Sequence, residues 1–173
     1  MKRAIALLEK HNLLKIISDE LDINLEIPHI AYVEVKRPDS KAILFTNVVD
    51  RKNSKKFKEP VLMNVFCNED AVKLFIGDGD KIGTEIESLL KLKPPVTFSE
   101  KLSTLGKLFS LKNTIPKKIK GKGICQEVIK LGADAKLSDL PVIKTWEDDA
   151  GPFITMGQVY TQSLNGELKN LGM

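Results

Sequence analysis

The sequence predicts an α/β fold, an N-terminal α/β domain that gives way to a β-rich segment, and three patterns carry that expectation. Two runs rich in β-branched and aromatic residues, Ala42 to Val49 and Val61 to Cys67, read as strands bounded by polar stretches. Ile82, Ile86, Leu89 and Leu90 recur at i, i+4, i+7 and i+8, the spacing of one buried helical face. Near the end of the chain, Asn165-Gly166 stands between two alternating arms, which predicts a hairpin.

Taken in order, Arg3 to Lys10 reads as a short helix, and turn-like breaks at His11-Asn12, Pro28 and Pro38 set it apart from an apolar run at Leu13 to Ile17. A lysine-rich loop, Arg51 to Lys58, joins the two strands. Asn68 is placed to cap a helix through Ile76, because its side-chain oxygen can accept from the free amides of the first turn. Glu69 and Asp70 suit the positive end of that helix dipole. The helix carrying Ile82 to Leu90 is expected to stop at Pro94-Pro95, and Thr97 with Glu100 forms a capping-box pattern before Leu102, Leu105 and Phe109. From Lys112 to Gly123, five lysines, two glycines and Pro116 replace the apolar periodicity. A domain boundary is placed there, giving an α/β domain over residues 1–115 and a second domain over 116–173. Such a lysine run reads as a solvated linker before it reads as an anion-binding patch.

Beyond the linker, Ile124 to Ile129 and Pro141 to Trp146 read as β-rich. Gln158 to Ser163 and Glu167 to Leu171 should then pair through a type I′ turn at Asn165-Gly166, which needs positive φ at both central positions. That register sets Ser163 opposite Leu168 and Thr161 opposite Asn170, with Thr161 and Asn170 on one face and Tyr160 and Leu171 on the other.

Composition narrows the function classes. With 173 residues and 42% hydrophobic content the chain can bury a substantial core. Its longest apolar runs fall far below the roughly 20 residues that span a bilayer, and the stretch after Lys2 and Arg3 is too short for a secretory signal, so a soluble cytoplasmic protein is expected. Cys67, Cys125, His11 and His29 are scattered, which disfavours zinc and disulfides. The net charge of +4 rests on lysine, with Arg3, Arg37 and Arg51 the only arginines. Few arginines and few aromatics argue against nucleic acid as a partner.

No GxGxxG, P-loop, HExxH or GxSxG motif is present, so spacing alone names no reaction. The acidic turn Glu147-Asp148-Asp149 could hold a hard cation, though such a turn is more often only a turn. The run from Leu140-Pro141 through Asp148-Asp149-Ala150-Gly151-Pro152-Phe153-Ile154-Thr155 resembles the "LP … D-G-G-P-Y-I-T" run of UbiD-type decarboxylases. Gly157, Asn165-Gly166 and the ending Asn170-Leu171-Gly172-Met173 resemble that family's "N-x-G-M-Y-R", and Gln126-Glu127-Val128 its approach to this domain. Ala150 departs from the pattern where the family has glycine, and alanine tolerates positive φ poorly.

The resemblance implies an N-terminal α/β domain followed by the opening strands of a flavin-binding split barrel. It implies a carboxy-lyase acting on an aromatic or α,β-unsaturated acid, in ubiquinone or menaquinone biosynthesis, with prenylated FMN as the electron sink. A manganese or similar divalent ion, with potassium nearby, would tie the flavin phosphate to the protein, and the matching ligand is Asn170. An amide oxygen is a hard, neutral ligand suited to such an ion. Thr155 matches a cofactor-contacting position, and Gly172 and Met173 match positions where backbone runs against the flavin. A flavin prenyltransferase would supply the cofactor, and a homo-oligomeric full-length protein with peripheral membrane contact is expected. The arginine that grips the substrate carboxylate would fall two residues past Met173 and the acid/base glutamates farther on, so this piece is expected to be inactive by itself. Two other readings stay open: a non-catalytic assembly module with an incomplete flavin barrel, and an ordinary flavin reductase barrel that would not use Asn170 as a metal ligand.

Overall fold

The computed structural model describes residues 1–91, 120–123 and 126–172. Pro94-Pro95, the Thr97/Glu100 capping box with its helix, the boundary between residues 115 and 116, Ile124, Cys125 and Met173 lie outside the described residues. The chain forms two compact units, one of Met1–Phe75 with Lys136–Met173 and one of Ile76–Ala135.

In the first unit, helix α1 (Lys2–Lys10) buries Leu8 and is followed by strand β1 (Leu14–Asp22), which extends the apolar run at Leu13 to Ile17 well beyond Ile17. Helix α2 (Glu26–Val35) crosses to strand β2 (Ala42–Asp50), which runs parallel to β1 from Leu14↔Ala42 to Asp22↔Val49, with a bulge between Ile17 and Glu20. Strand β2 is the axis of the sheet. On its other edge it pairs antiparallel with the short β3 (Lys55–Lys56) and β4 (Val61–Met63). Covered on both sides, β2 keeps Ala42 to Phe45, Val48 and Val49 buried, which is why it reads as a near-continuous apolar run.

Two expectations are corrected here. Pro28 does not break the chain: it sits in the first turn of α2, where its missing N–H would have had no intrahelical partner. Only Val61–Met63 of the run to Cys67 forms strand, because Asn64 takes a left-handed conformation (φ 57°) and donates from Nδ2 to the Ala31 carbonyl at 2.7 Å.

The cap at Asn68 forms as expected on α3 (Glu69–Phe75), with the Ala71 amide donating to Asn68 Oδ1 at 2.9 Å. Asn68 Nδ2 also donates to the carbonyl of the buried Ser40, at 2.8 Å. One side chain thus caps the helix and ties it to the loop before β2.

The core joins Ile23, Ile27, Ile43, Phe45, Val48, Phe57, Val61 and Ile143. Ile143 lies 68 positions beyond the end of α3 yet is only 5% exposed, so the first 75 residues do not close the core alone. A charged clamp borders it. The Asp22 carboxylate accepts from the amides of Asn24 (2.9 Å) and Arg51 (3.2 Å), while Glu26 accepts from the Asp22 amide (2.8 Å) and the Arg51 guanidinium. These bonds hold the Glu26 carboxyl below the usual range, the Asp22 amide contributing most and Arg51 next.

In the second unit, helix α4 (Gly79–Leu90) forms where the periodicity places it, capped by Asp78, whose carboxylate accepts from the Asp80 and Lys81 amides. No residue of α4 is buried among the described residues, and Ile86 and Leu90 lie open.

Candidate cofactor-binding hairpin

The path to the candidate site starts at the core. A 3-10 turn, Leu137–Asp139, is held by Lys55, whose ammonium donates to the Ser138 carbonyl and to Asp139 at 3.1 Å. The following extended stretch lies beside the end of β1: the Lys144 amide donates to the Ile23 carbonyl and the Leu25 amide to the Lys144 carbonyl, both at 3.1 Å. The second bond fixes Leu25 in a left-handed conformation (φ 69°) at the start of α2. Of the expected β-structure around Pro141 to Trp146, only bridges at Ile143 and Lys144 form, and Gln126 to Ile129 makes no strand, since neither stretch has a full-length neighbour to pair with among the described residues.

The acidic turn is built by hydrogen bonds of its own. Asp149 Oδ2 accepts from the Trp146 amide at 2.9 Å, and the Asp149 amide donates back to the Trp146 carbonyl. Lys144 Nζ donates to the Glu147 carbonyl, and the Trp146 ring meets Tyr32 of α2 edge to face at 5.5 Å. Among the described residues no group of three or more His, Cys, Asp or Glu side chains is arranged to hold a metal ion. Ala150 is not at positive φ, so its Cβ costs this turn nothing. The chain then returns, and the Phe153 amide donates to the Ile143 carbonyl at 2.9 Å. Thr155 follows, in an exposed turn with Met156 at φ 57°, and not in a strand.

Strands β5 (Val159–Gln162) and β6 (Lys169–Gly172) pair antiparallel, with Thr161 opposite Asn170 and Tyr160 opposite Leu171. That is the register read from the sequence. The turn differs. Gly166 (φ 76°) is left-handed and Asn165 is not; the Gly166 amide donates to the Ser163 carbonyl at 2.9 Å, and Ser163 Oγ meets Asn165 Oδ1 at 2.6 Å. With the Ser163 amide donating to the Leu168 carbonyl, a four-residue turn replaces the type I′ turn without changing the pairing.

Asn170, Gly172, Thr161 and Val159 occupy one face of the hairpin by strand alternation. The Asn170 side-chain amide is exposed and makes no hydrogen bond among the described residues, and its Nδ2 would lie 3.6 Å from a Cβ placed on Gly172. Gly172 thus lies beside the Asn170 side-chain amide, whose oxygen is a hard donor. Such a pair fits one corner of a metal-bridged phosphate, supplying one of the six or so oxygens a hard divalent ion takes. Thr155 stands apart on the preceding turn, with no hydrogen bond to Asn170, and Met173 is outside the described residues. Reasoning on sequence passed over Ile143 and Lys55 as site supports. Their signal, an apolar residue in a short β-rich run and a lysine in a loop, is common to many surface and core positions.

Two family models match: the 3-octaprenyl-4-hydroxybenzoate carboxy-lyase N-terminal domain over residues 5–90, and the Rift-related domain of the same carboxy-lyase over residues 117–173. The chain belongs to the UbiD family. Similar curated proteins are two uncharacterized proteins of Helicobacter pylori strains 26695 and J99, each 42% identical over all of this chain and 28% of their own length. An uncharacterized protein of Aquifex aeolicus is 36% identical over 96% of the chain and 33% of its own length. The chain thus spans about a third or less of the relatives it matches. As a UbiD-family chain it combines an α/β sheet domain with a β-hairpin, and no closed barrel is formed by the described residues. No helix among the described residues is long and apolar enough to cross a membrane.

Proposed function

We propose that this chain is the N-terminal part of a carboxy-lyase that decarboxylates an aromatic or α,β-unsaturated acid in quinone biosynthesis, and that its hairpin forms part of a prenylated-FMN and divalent-metal site. The supporting observation is the unpartnered Asn170 amide on the same strand face as Gly172, in a chain of a carboxy-lyase family. When bound, prenylated flavin would supply the electron sink for loss of the carboxylate. The chain's own share is binding: Asn170 Oδ1 toward the metal ion, Gly172 and Met173 as close backbone, and Thr155 as a polar contact from the preceding turn. Potassium is a second ion compatible with oxygen donors of this kind, and the remaining oxygens would come from phosphate and from the rest of the protein.

The test uses the full-length protein co-produced with a flavin prenyltransferase, beside its Asn170→Ala variant. Absorbance, mass spectrometry of released flavin and metal analysis should find both groups in the parent and both reduced in the variant, with an unchanged melting temperature because the Asn170 side chain is exposed and makes no hydrogen bond among the described residues. A parent without flavin or metal, or a variant that keeps both in full, would overturn the reading.

A further inference from the structure

We infer that Ile143 is a positioning residue for the turn that carries Thr155, through which the N-terminal α/β core sets the geometry of the cofactor site; this rests on the function proposed above. Ile143 reaches in two directions. Its side chain is packed among Ile23, Ile27, Phe45, Val48 and Phe57, the rigid centre of the sheet domain. Its carbonyl accepts the Phe153 amide at 2.9 Å, and Phe153 lies two residues before Thr155.

On either side the chain is fixed to the same domain. The amide and carbonyl of Lys144 are both engaged by the end of β1 and the start of α2, and Lys55 holds Ser138 and Asp139. Between Ile143 and Phe153 the excursion is short and closed by the Trp146–Asp149 hydrogen bonds, so it passes on the position of Ile143 with little slack. Phe153 and Ile154 themselves are 59% exposed, and the backbone bond from Phe153 to Ile143 ties the Thr155 turn to the core. A packed core has discrete arrangements and does not deform smoothly, so a shift of Ile143 is carried to that turn.

The experiment compares Ile143→Ala with Val48→Ala, a truncation elsewhere in the same core, in the full-length protein, with Ile143→Val as the conservative variant. Ile143→Ala should weaken binding of flavin mononucleotide about tenfold more than Val48→Ala does and shift the visible spectrum of the bound flavin, since small misplacements are costly to a site held by geometry. Hydrogen exchange should accelerate selectively across Phe153 to Met156, and Ile143→Val should restore binding to within about twofold of the parent. Equal losses in the two alanine variants, or unchanged protection of the Phe153 amide in Ile143→Ala, would overturn the inference. Where Ile143→Ala does not fold, Ile143→Val against Ile43→Val decides it: faster exchange at Phe153 to Met156 in the former supports positioning, and equal rates refute it. A parent that binds no flavin defeats the function proposed above, while the exchange comparison still decides the role of Ile143.

Discussion

The β2 strand and the β5–β6 hairpin follow the same pairing rules but are held by different physics. Both are regular ladders, β2 parallel to β1 and β5 antiparallel to β6, and the hairpin pairs in the register read from its alternation and turn. In β2, Ala42, Ile43 and Phe45 are completely buried between neighbours on both edges, whereas every residue of β5 is exposed and Tyr160, Leu168 and Leu171 face solvent. In the hairpin, local pattern is enough to specify a register; in β2, burial is what makes the register expensive to lose.

The sharpest way to break this contrast is to truncate one residue in each region. Phe45→Ala should cost about 3–5 kcal/mol in urea unfolding, whereas Leu171→Ala should change stability by less than about 0.5 kcal/mol. A comparable cost for the two would mean that the hairpin is buried in solution. Next in size is Asn68→Ala, which removes the α3 cap together with the bond to the Ser40 carbonyl. A loss of about 1–2 kcal/mol in the same assay is expected, and Asn68→Asp should retain the cap while losing the donor to Ser40.

A smaller effect tests the charged clamp by pH. The folded-state pKa of Glu26 is lowered, so its contribution is present above the ordinary glutamate value of about 4.3 and is lost as pH falls through the lower folded value. Because Glu26 and Arg51 are both nearly half exposed, solvent screening keeps the contribution of the pair small. In Glu26→Gln the acid-side decline of stability should begin at lower pH and be shallower; an unchanged profile would remove Glu26 from the clamp.

The smallest global effect is expected from Gly166→Ala. A Cβ there would meet Gln162 Nε2 at 2.9 Å and would have to sit at φ 76°. The local penalty is about 1 kcal/mol, and it should accelerate amide exchange between Ser163 and Leu168 while leaving the melting temperature of the core unchanged. A fall in core melting temperature would show the hairpin and the core to be one cooperative unit, and would weaken the contrast drawn above.

Much of the local structure is legible from residue pattern. Helix α1, strand β2, the Asn68 cap, helix α4 and the Thr161↔Asn170 pairing all depend on neighbours a few residues apart or on a tight turn, and the motif from Leu140 to Gly172 points to the family. What pattern could not supply lies in contacts between distant parts of the chain. Pro28 reads as a break because a proline's place within a helix depends on where the helix begins, and that is set by the Lys144 carbonyl gripping Leu25, 119 residues away in sequence. The same holds for Ile143, an ordinary β-branched residue until the sheet closes over it. The type of turn at Gly166 is a local exception: it was settled by the Ser163 side chain, which bonds to both Asn165 and Leu168. The sequence by itself determined helix α1, strand β2, helix α4 and how the hairpin pairs, because those follow from short-range sterics and alternation. Only the tertiary structure decided that Ile143 joins the core of the sheet domain, because burial is a property of the packed chain and no residue carries it alone.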